Sequence, residues 1–150
     1  MDSRIPDVIA ALVGLGRTDP DLEGVAVADG PEVSDTAAMD WLVIGFDGDP
    51  TGDFEAAQSI AEFAGLSTRR EEQFQVTVAA ISNRGDTDVV AARARAYEIG
   101  GRVVAWLQAS PTLGLSELEA GVAATRLVQD QTDQGASARL LLTVAGRGWI

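Results

Sequence analysis

Apolar and polar positions alternate most regularly at 73–82, "QFQVTVAAIS", where Phe74, Val76 and Val78 stand against Gln73, Gln75 and Thr77. A period of two predicts a half-buried strand, because successive side chains of a strand point to opposite faces. "WLVIGF" (41–46) is a continuous apolar run of strand length and predicts a strand buried on both faces. "GVAVADG" (24–30) predicts a shorter strand, followed by the polar loop "PEVSDTA". Two more strands are expected at 120–129 and 137–146, the second setting Leu140, Leu142 and Val144 against Arg139, Leu141 and Thr143. The "QDQTDQGAS" between them reads as a long polar hairpin loop, mobile in an isolated chain.

Helical spacing governs the other segments. Ile5, Val8, Ile9, Leu12 and Leu15 predict a first helix, capped by Ser3, with Pro6 tolerated in its first turn and with Gly14, Gly16 and "TDPD" ending it. Val89, Ala92, Ala96, Ile99, Val103 and Leu107 form the apolar stripe of a long helix over 87–108, stopped by "SPTLG". Glu98 and Arg102 are spaced to pair on its outer side. In "DFEAAQSIAEFAGL" (53–66), Phe54, Ala57, Ile60, Ala61 and Ala64 fit a helical stripe and predict a short helix. The result is one α+β domain over residues 1–150, a mostly antiparallel or mixed sheet with helices packed on one face.

Composition narrows the chemistry. The chain has no His, Cys or Lys, and all eleven cations are Arg. Ser-His and Cys-His nucleophile pairs, Schiff-base lysines, a Walker-type phosphate loop and His- or Cys-ligated zinc are therefore excluded. Acid-base catalysis would rest on carboxylates, on Tyr97 or on a carboxylate-bound metal, so an enzyme is not the favoured reading. A net charge of −12 argues against a duplex-binding surface. No apolar run reaches membrane-spanning length, and "MDSRIPDVIAALVGLG" is a poor signal peptide, so a cytoplasmic origin is expected.

Four short motifs invite a functional reading. In "NRGDTD" (83–88), Gly85 supplies a turn and Asp86 is placed to cap the long helix, which is a hinge and not an adhesion loop. "DGDPTGDFEAAQ" (47–58) sets Asp47, Asp49 and Thr51 at calcium-loop spacing but ends in Gln58 where a bidentate Glu belongs. No metal or other cofactor is expected. "GLGRTD" (14–19) lacks the third glycine of a dinucleotide fingerprint. Glu71 and Glu72 would face opposite sides of a strand and make no catalytic pair. No catalytic residue is nominated.

The features that remain are suited to contact. Gly100-Gly101 in mid-helix suggests close approach by another backbone, inside the fold or from a neighbouring subunit. Trp41 and Trp106 are expected in the core, whereas Trp149 either closes the core edge or docks into a neighbour. With the polar loops, these nominate Asp47, Asp49, Asp53, Gly100, Gly101, Gln129, Gln131, Gln134 and Trp149 as interface residues.

Three stretches, "EEQFQVTVAAISNRGDTDVVAARARAYEI", "LQASPTLGL" and "VQDQTDQGASARLLLTV", together resemble the tail terminator (tail completion) proteins of long-tailed, siphovirus-type bacteriophages. "SRIPDVIAALVGL" and "VIGFDGDP" agree, so the likeness covers most of the chain. It departs at Leu115, where related sequences often carry a second glycine. The resemblance implies a structural virion protein, made in the host cytoplasm and forming a ring, usually a hexamer, on the head-proximal end of the tail tube. Such a ring ends tube polymerisation and joins the tail to the head connector, or stopper, protein. DNA passes through its lumen without specific binding. The alternatives are another neck or head–tail adaptor protein and a carboxylate-dependent metal-binding module or enzyme.

Overall fold

The computed structural model describes residues 3–32, 38–63 and 69–150. In chain order these form α1 (Ile5–Thr18), a short 3-10 turn (Pro20–Leu22), β1 (Ala26–Asp29), β2 (Asp40–Ile44), β3 (Ala57–Phe63), β4 (Arg70–Arg84), α2 (Val89–Ala109), β5 (Leu118–Thr132) and β6 (Gly135–Trp149). The strands make one mixed sheet of order β1-β2-β4-β6-β5, with β3 also beside β4. β1 pairs parallel to β2, and the other described pairings are antiparallel. The chain is therefore an α+β single-domain fold.

β4 is the long alternating segment, and its apolar side faces the core. Phe74, Val76, Val78 and Ala80 join Leu140, Leu142 and Val144 of β6, and against them lie Val8 and Leu12 of α1 and Ala96, Ile99 and Val103 of α2. Both helices thus cover the same face. Small residues let α2 lie close to the sheet: a Cβ on Gly100 would stand 2.7 Å from Leu140 Cδ2. The close approach expected at the glycine pair is met within the fold at Gly100, by side chains and not by backbone. Gly101 is exposed and meets nothing within 4 Å. On the opposite sheet face a small cluster gathers Ala28, Val43 and Ala79 with Trp41, Phe46, Ile81 and Leu141. Trp41 is accordingly only partly buried there, its Nε1 donating to Ala38 O at 3.0 Å, while Trp106 is in the main core.

Two buried carboxylates fasten α1. Glu72, 2% exposed, accepts from Ser3 Oγ (2.6 Å) and Arg4 N (2.7 Å) at the positive end of the helix. Asp19, just past the other end, accepts from Arg102 Nε (2.8 Å), Trp106 Nε1 (2.7 Å) and Asp21 N (2.9 Å). Burial opposes ionisation of Asp19, but these donors and the Arg102 charge outweigh it and hold its carboxyl below the ordinary 3.8.

Several sequence expectations are corrected. Residues 57–63 are strand β3, not helix; 64–66 of that segment fall outside the described residues, as do 33–37 of "PEVSDTA". The alanine spacing imitates a helix, but this segment fills the backbone hydrogen-bonding positions along β4 at 70–76. Gly14 and Gly16 lie inside α1, which runs to Thr18, and Gly16 leaves room for Val27 and Leu42. "GLGRTD" is therefore mostly helix. Arg4, not Ser3, takes the cap position of α1. Asp88, not Asp86, caps α2 by accepting from Ala91 N, and Asp86 accepts from Asp88 N in a turn before it. Glu98 pairs with Arg95 because Arg102 is drawn to Asp19 and Asp21. "QDQTDQGAS" is not a long loop: β5 and β6 run through it and leave a two-residue turn, Asp133-Gln134.

The two adjacent glycines of α2 should respond with opposite signs. Gly101→Ala gains about 0.5–1 kcal/mol of helix propensity in open space and raises Tm. Gly100→Ala gains the same propensity but meets Leu140, an overpacking cost of about 1–3 kcal/mol, and Gly100→Val lowers Tm clearly. Thermal unfolding of the three variants checks this; equal responses at both positions would contradict the packing described.

Asp19→Ala should destabilise the fold by about 2–3 kcal/mol, because it strands the Trp106 and Arg102 donors. With the folded pKa below 3.8, the contribution from ionised Asp19 is complete above that value and is lost as pH falls through the folded pKa. The Tm gap between wild type and variant therefore stays constant from neutral pH to mildly acidic and narrows below about pH 4. A gap that widens on acidification would refute the assignment.

Candidate assembly surface

The sequence-nominated residues do not converge on one pocket. They fall on opposite sides of the sheet, on both sides of α2, where Gly100 faces the sheet and Gly101 faces outward, and at the far end of β6. On the side of β1, β2 and β3, residues 45–56 leave the end of β2 and return to begin β3. Gly45 N donates to Thr77 O (2.7 Å) and Thr77 N donates to Ala56 O (3.0 Å), so both ends of this loop are pinned to one residue of β4. Gly45 and Gly48 take φ of 81° and 80°, which lets the loop fold back over the bare sheet face. There Arg139 Nη1 donates to Asp47 O at 2.8 Å.

The loop carboxylates serve the loop itself. Asp47 accepts from Asp49 N (2.8 Å), and Asp49 accepts from Thr51 N (2.9 Å) and Thr51 Oγ1 (2.8 Å). The two bonds from Thr51 hold the Asp49 carboxyl below its usual pKa. Asp53 accepts from Glu55 N at 3.1 Å. Among the described residues no three acidic side chains gather as a metal-binding group. Phe54, absent from the sequence nominations, is held at φ 59° with its ring stacked on Phe46 at 5.1 Å, yet it remains 49% exposed. A left-handed, non-glycine backbone under an exposed aromatic is a strained arrangement of the sort found at contact sites.

The following strand, β3, hydrogen-bonds β4 on one edge, and its other edge has no backbone partner among the described residues. Gln58 through Glu62 are exposed, Ile60 by 66%. Sequence reasoning missed this edge because it read the segment as helix. The available signal was "GDPTGD", turn-rich residues immediately before a segment lacking a strong apolar face.

On the opposite side of the sheet, β5 also ends the ladder. Ala120 N donates to Pro111 O (2.8 Å), which covers its beginning, and a bulge interrupts it between Val122 and Ala124. Beyond the bulge no described backbone pairs with its outer edge. Gln129 accepts from Arg93 Nη1 (3.2 Å) and Gln131 Nε2 donates to Thr87 O (3.0 Å), tying β5 to the start of α2. Gln134 lies in the turn. Gly101 sits on the exposed side of α2 near Tyr97, itself 48% exposed.

Trp149, paired with Glu71, lies on the bare sheet face with the Arg69 guanidinium 4.6 Å from its ring centre. It is 36% exposed and stands apart from the main core. Beside it, a groove of 610 Å³ crosses β3, β4, β6 and β5 past Gln58, Ile60, Gln73 and Gln75. Its charged lining, Glu119 and Arg147, is paired at 2.7 Å. Glu72 points to the helix side and Glu71 to the bare side, as their alternation requires. What the described geometry offers is open strand edges beside polar loops.

Because Asp47 and Asp49 are already engaged by loop amides, Thr51 and Arg139, millimolar calcium should leave Tm unchanged. A calcium-specific rise, absent with magnesium and abolished by Asp49→Asn, would mean that the loop regroups around an ion. No protein-family model matches the chain, and a search of curated proteins finds no match for it.

Proposed function

We propose that this chain is a ring-forming structural protein, the tail terminator of a long-tailed phage, which caps the head-proximal end of the tail tube and joins it to the head connector. The observation that carries the reading is that, among the described residues, the sheet has outer edges with no strand partner on both sides, β1 and β3 on one and β5 on the other. Unlike open edges on opposite sides favour a head-to-tail contact, and a head-to-tail contact generates a ring when its rotation closes. The resemblance of the sequence to tail terminators supports reading that ring as the tube cap and its partners as the tube protein and the connector. A charge of −12 on a chain without His, Cys or Lys suits a conduit through which DNA slides without adhering.

Sedimentation over a wide concentration range, alone and with tube protein, tests the reading, with electron microscopy of the products. The expected outcome is concentration-dependent association into rings that bind tube ends and shorten tubes formed in their presence. A strict monomer under all these conditions would overturn it. Rings that bind the connector but leave tube length unaltered would point to a neck adaptor instead.

A further inference from the structure

We propose that copies of the chain join by strand addition, the outer edge of β5 in one copy pairing with the outer edge of β3 in the next. This rests on the ring-forming reading and names the surfaces that make the ring. β5 is 15 residues long, against about 5–6 for a typical strand. A long unpaired edge is a template for another chain, which is why such edges usually carry Pro, Lys or other blocking devices. "LEAGVAATRLVQDQT" has no Pro and no Lys, and its bulge lies near its beginning, leaving the outer edge from Ala124 to Thr132 regular in register and without a backbone partner among the described residues. Counting back from Thr132 and Gly135, which close the two-residue turn, the alternation of an antiparallel ladder turns the N–H groups of Thr125, Leu127, Gln129 and Gln131 away from β6. In β3 the bond from Thr77 N to Ala56 O sets the alternation, and the N–H groups of Ser59 and Ala61 point outward.

Charge selects the occupant. Although the chain is strongly acidic, the open stretch of β5 is bracketed by two arginines with no carboxylate partner among the described residues. Arg126 projects on the bare face, and Arg93 reaches over from α2 to Gln129. On the other side of the sheet, Asp53 and Glu55 lead into β3 and Glu62 lies within it, all exposed and none paired with a cation among the described residues. The same stretch of β5 also holds Asp130, so its charge is mixed, whereas β3 paired with β3 would set carboxylate against carboxylate. The β3 edge thus repels its own kind and attracts the arginines beside β5, which favours head-to-tail addition.

The test uses edge-blocked full-length chains. Thr125→Pro and Ser59→Pro each place a proline where an N–H points outward, a change an edge strand tolerates. Each variant alone should lose the higher oligomers seen with wild type, and an equimolar mixture should form dimers that grow no further, since one open edge of each kind remains. Arg126→Glu, an exposed substitution, should weaken association at low salt, and mixing it with Glu62→Arg should restore it. If wild type forms rings and both proline variants, with native circular dichroism, form them equally well, this pairing is wrong while the ring reading stands. If both proline variants misfold, the charge-reversal pair decides, and unchanged association of Arg126→Glu and Glu62→Arg overturns the proposal. A wild type that stays monomeric even with tube protein sinks both.

Discussion

Everything in this fold is referred to one strand, and the constraint on that strand is that one of its edges is shared. β4 presents Val78–Ser82 to β2 and Arg70–Val76 to β3, with Thr77 as the joint between them. Its other edge is taken along nearly its whole length by β6. A 15-residue strand left unpaired over half of one side would expose a row of backbone donors and acceptors, so the segment after the loop is drawn into strand geometry whatever its own preference. The same strand carries the apolar face on which both helices rest and the Glu72 carboxylate that fixes the start of α1. α2 is bound to α1 by the Asp19 cluster, so the helical layer is fastened to itself as well as to the sheet.

The division between a helix-covered face and a bare one follows from that arrangement. Core-directed residues are small where α2 crosses, Ala92, Ala96 and Gly100, and larger in β4 and β6 beneath it. The opposite face has only a minor apolar cluster, partly sheltered by the folded-back loop, and then polar and charged side chains. Stability therefore resides in the helix side of the sheet, which leaves the strand edges and the bare face to make other contacts.

What was legible in the sequence was what burial writes into it. The alternation around Phe74–Val78, the continuous run at 41–46 and the stripe from Ala92 to Leu107 each mark a segment pressed against the core on known sides. β3 was illegible for the complementary reason: exposed at positions 58–62 and, among the described residues, paired on one edge only, it has no core to impose a period, and its alanines fit a helix by chance. The hairpin was misjudged in length because Gln129 and Gln131 are polar yet belong to the ladder, their partners being the α2 cation and backbone, not the core. Asp88 displaced Asp86 as a cap by the backbone geometry of "GDTD", with Thr87 at φ 64°, which residue type alone does not encode. Of the nominated contact residues, Asp53 and Gln129 do lie beside open edges. Their position on opposite sides of the sheet could be read only once the strand order was known.

The excursion between β2 and β3 has a consequence for how this chain tolerates change. From the standpoint of β4, twelve residues, 45–56, stand opposite the single residue Thr77. The ladder registers Ile44 with Val78 and Ala57 with Val76, as though the intervening chain were a greatly enlarged bulge. Lengthening such an excursion adds little closure entropy, about 0.6 kcal/mol for each doubling, and shifts no strand register on either side of it. The loop is thus a natural point of divergence, where relatives could differ in length and a peptide tag or fluorophore could be inserted without disturbing the sheet. The two-residue turn between β5 and β6 offers no such freedom: Gly135, at φ 140°, lies against the Arg84 carbonyl with no room for a side chain.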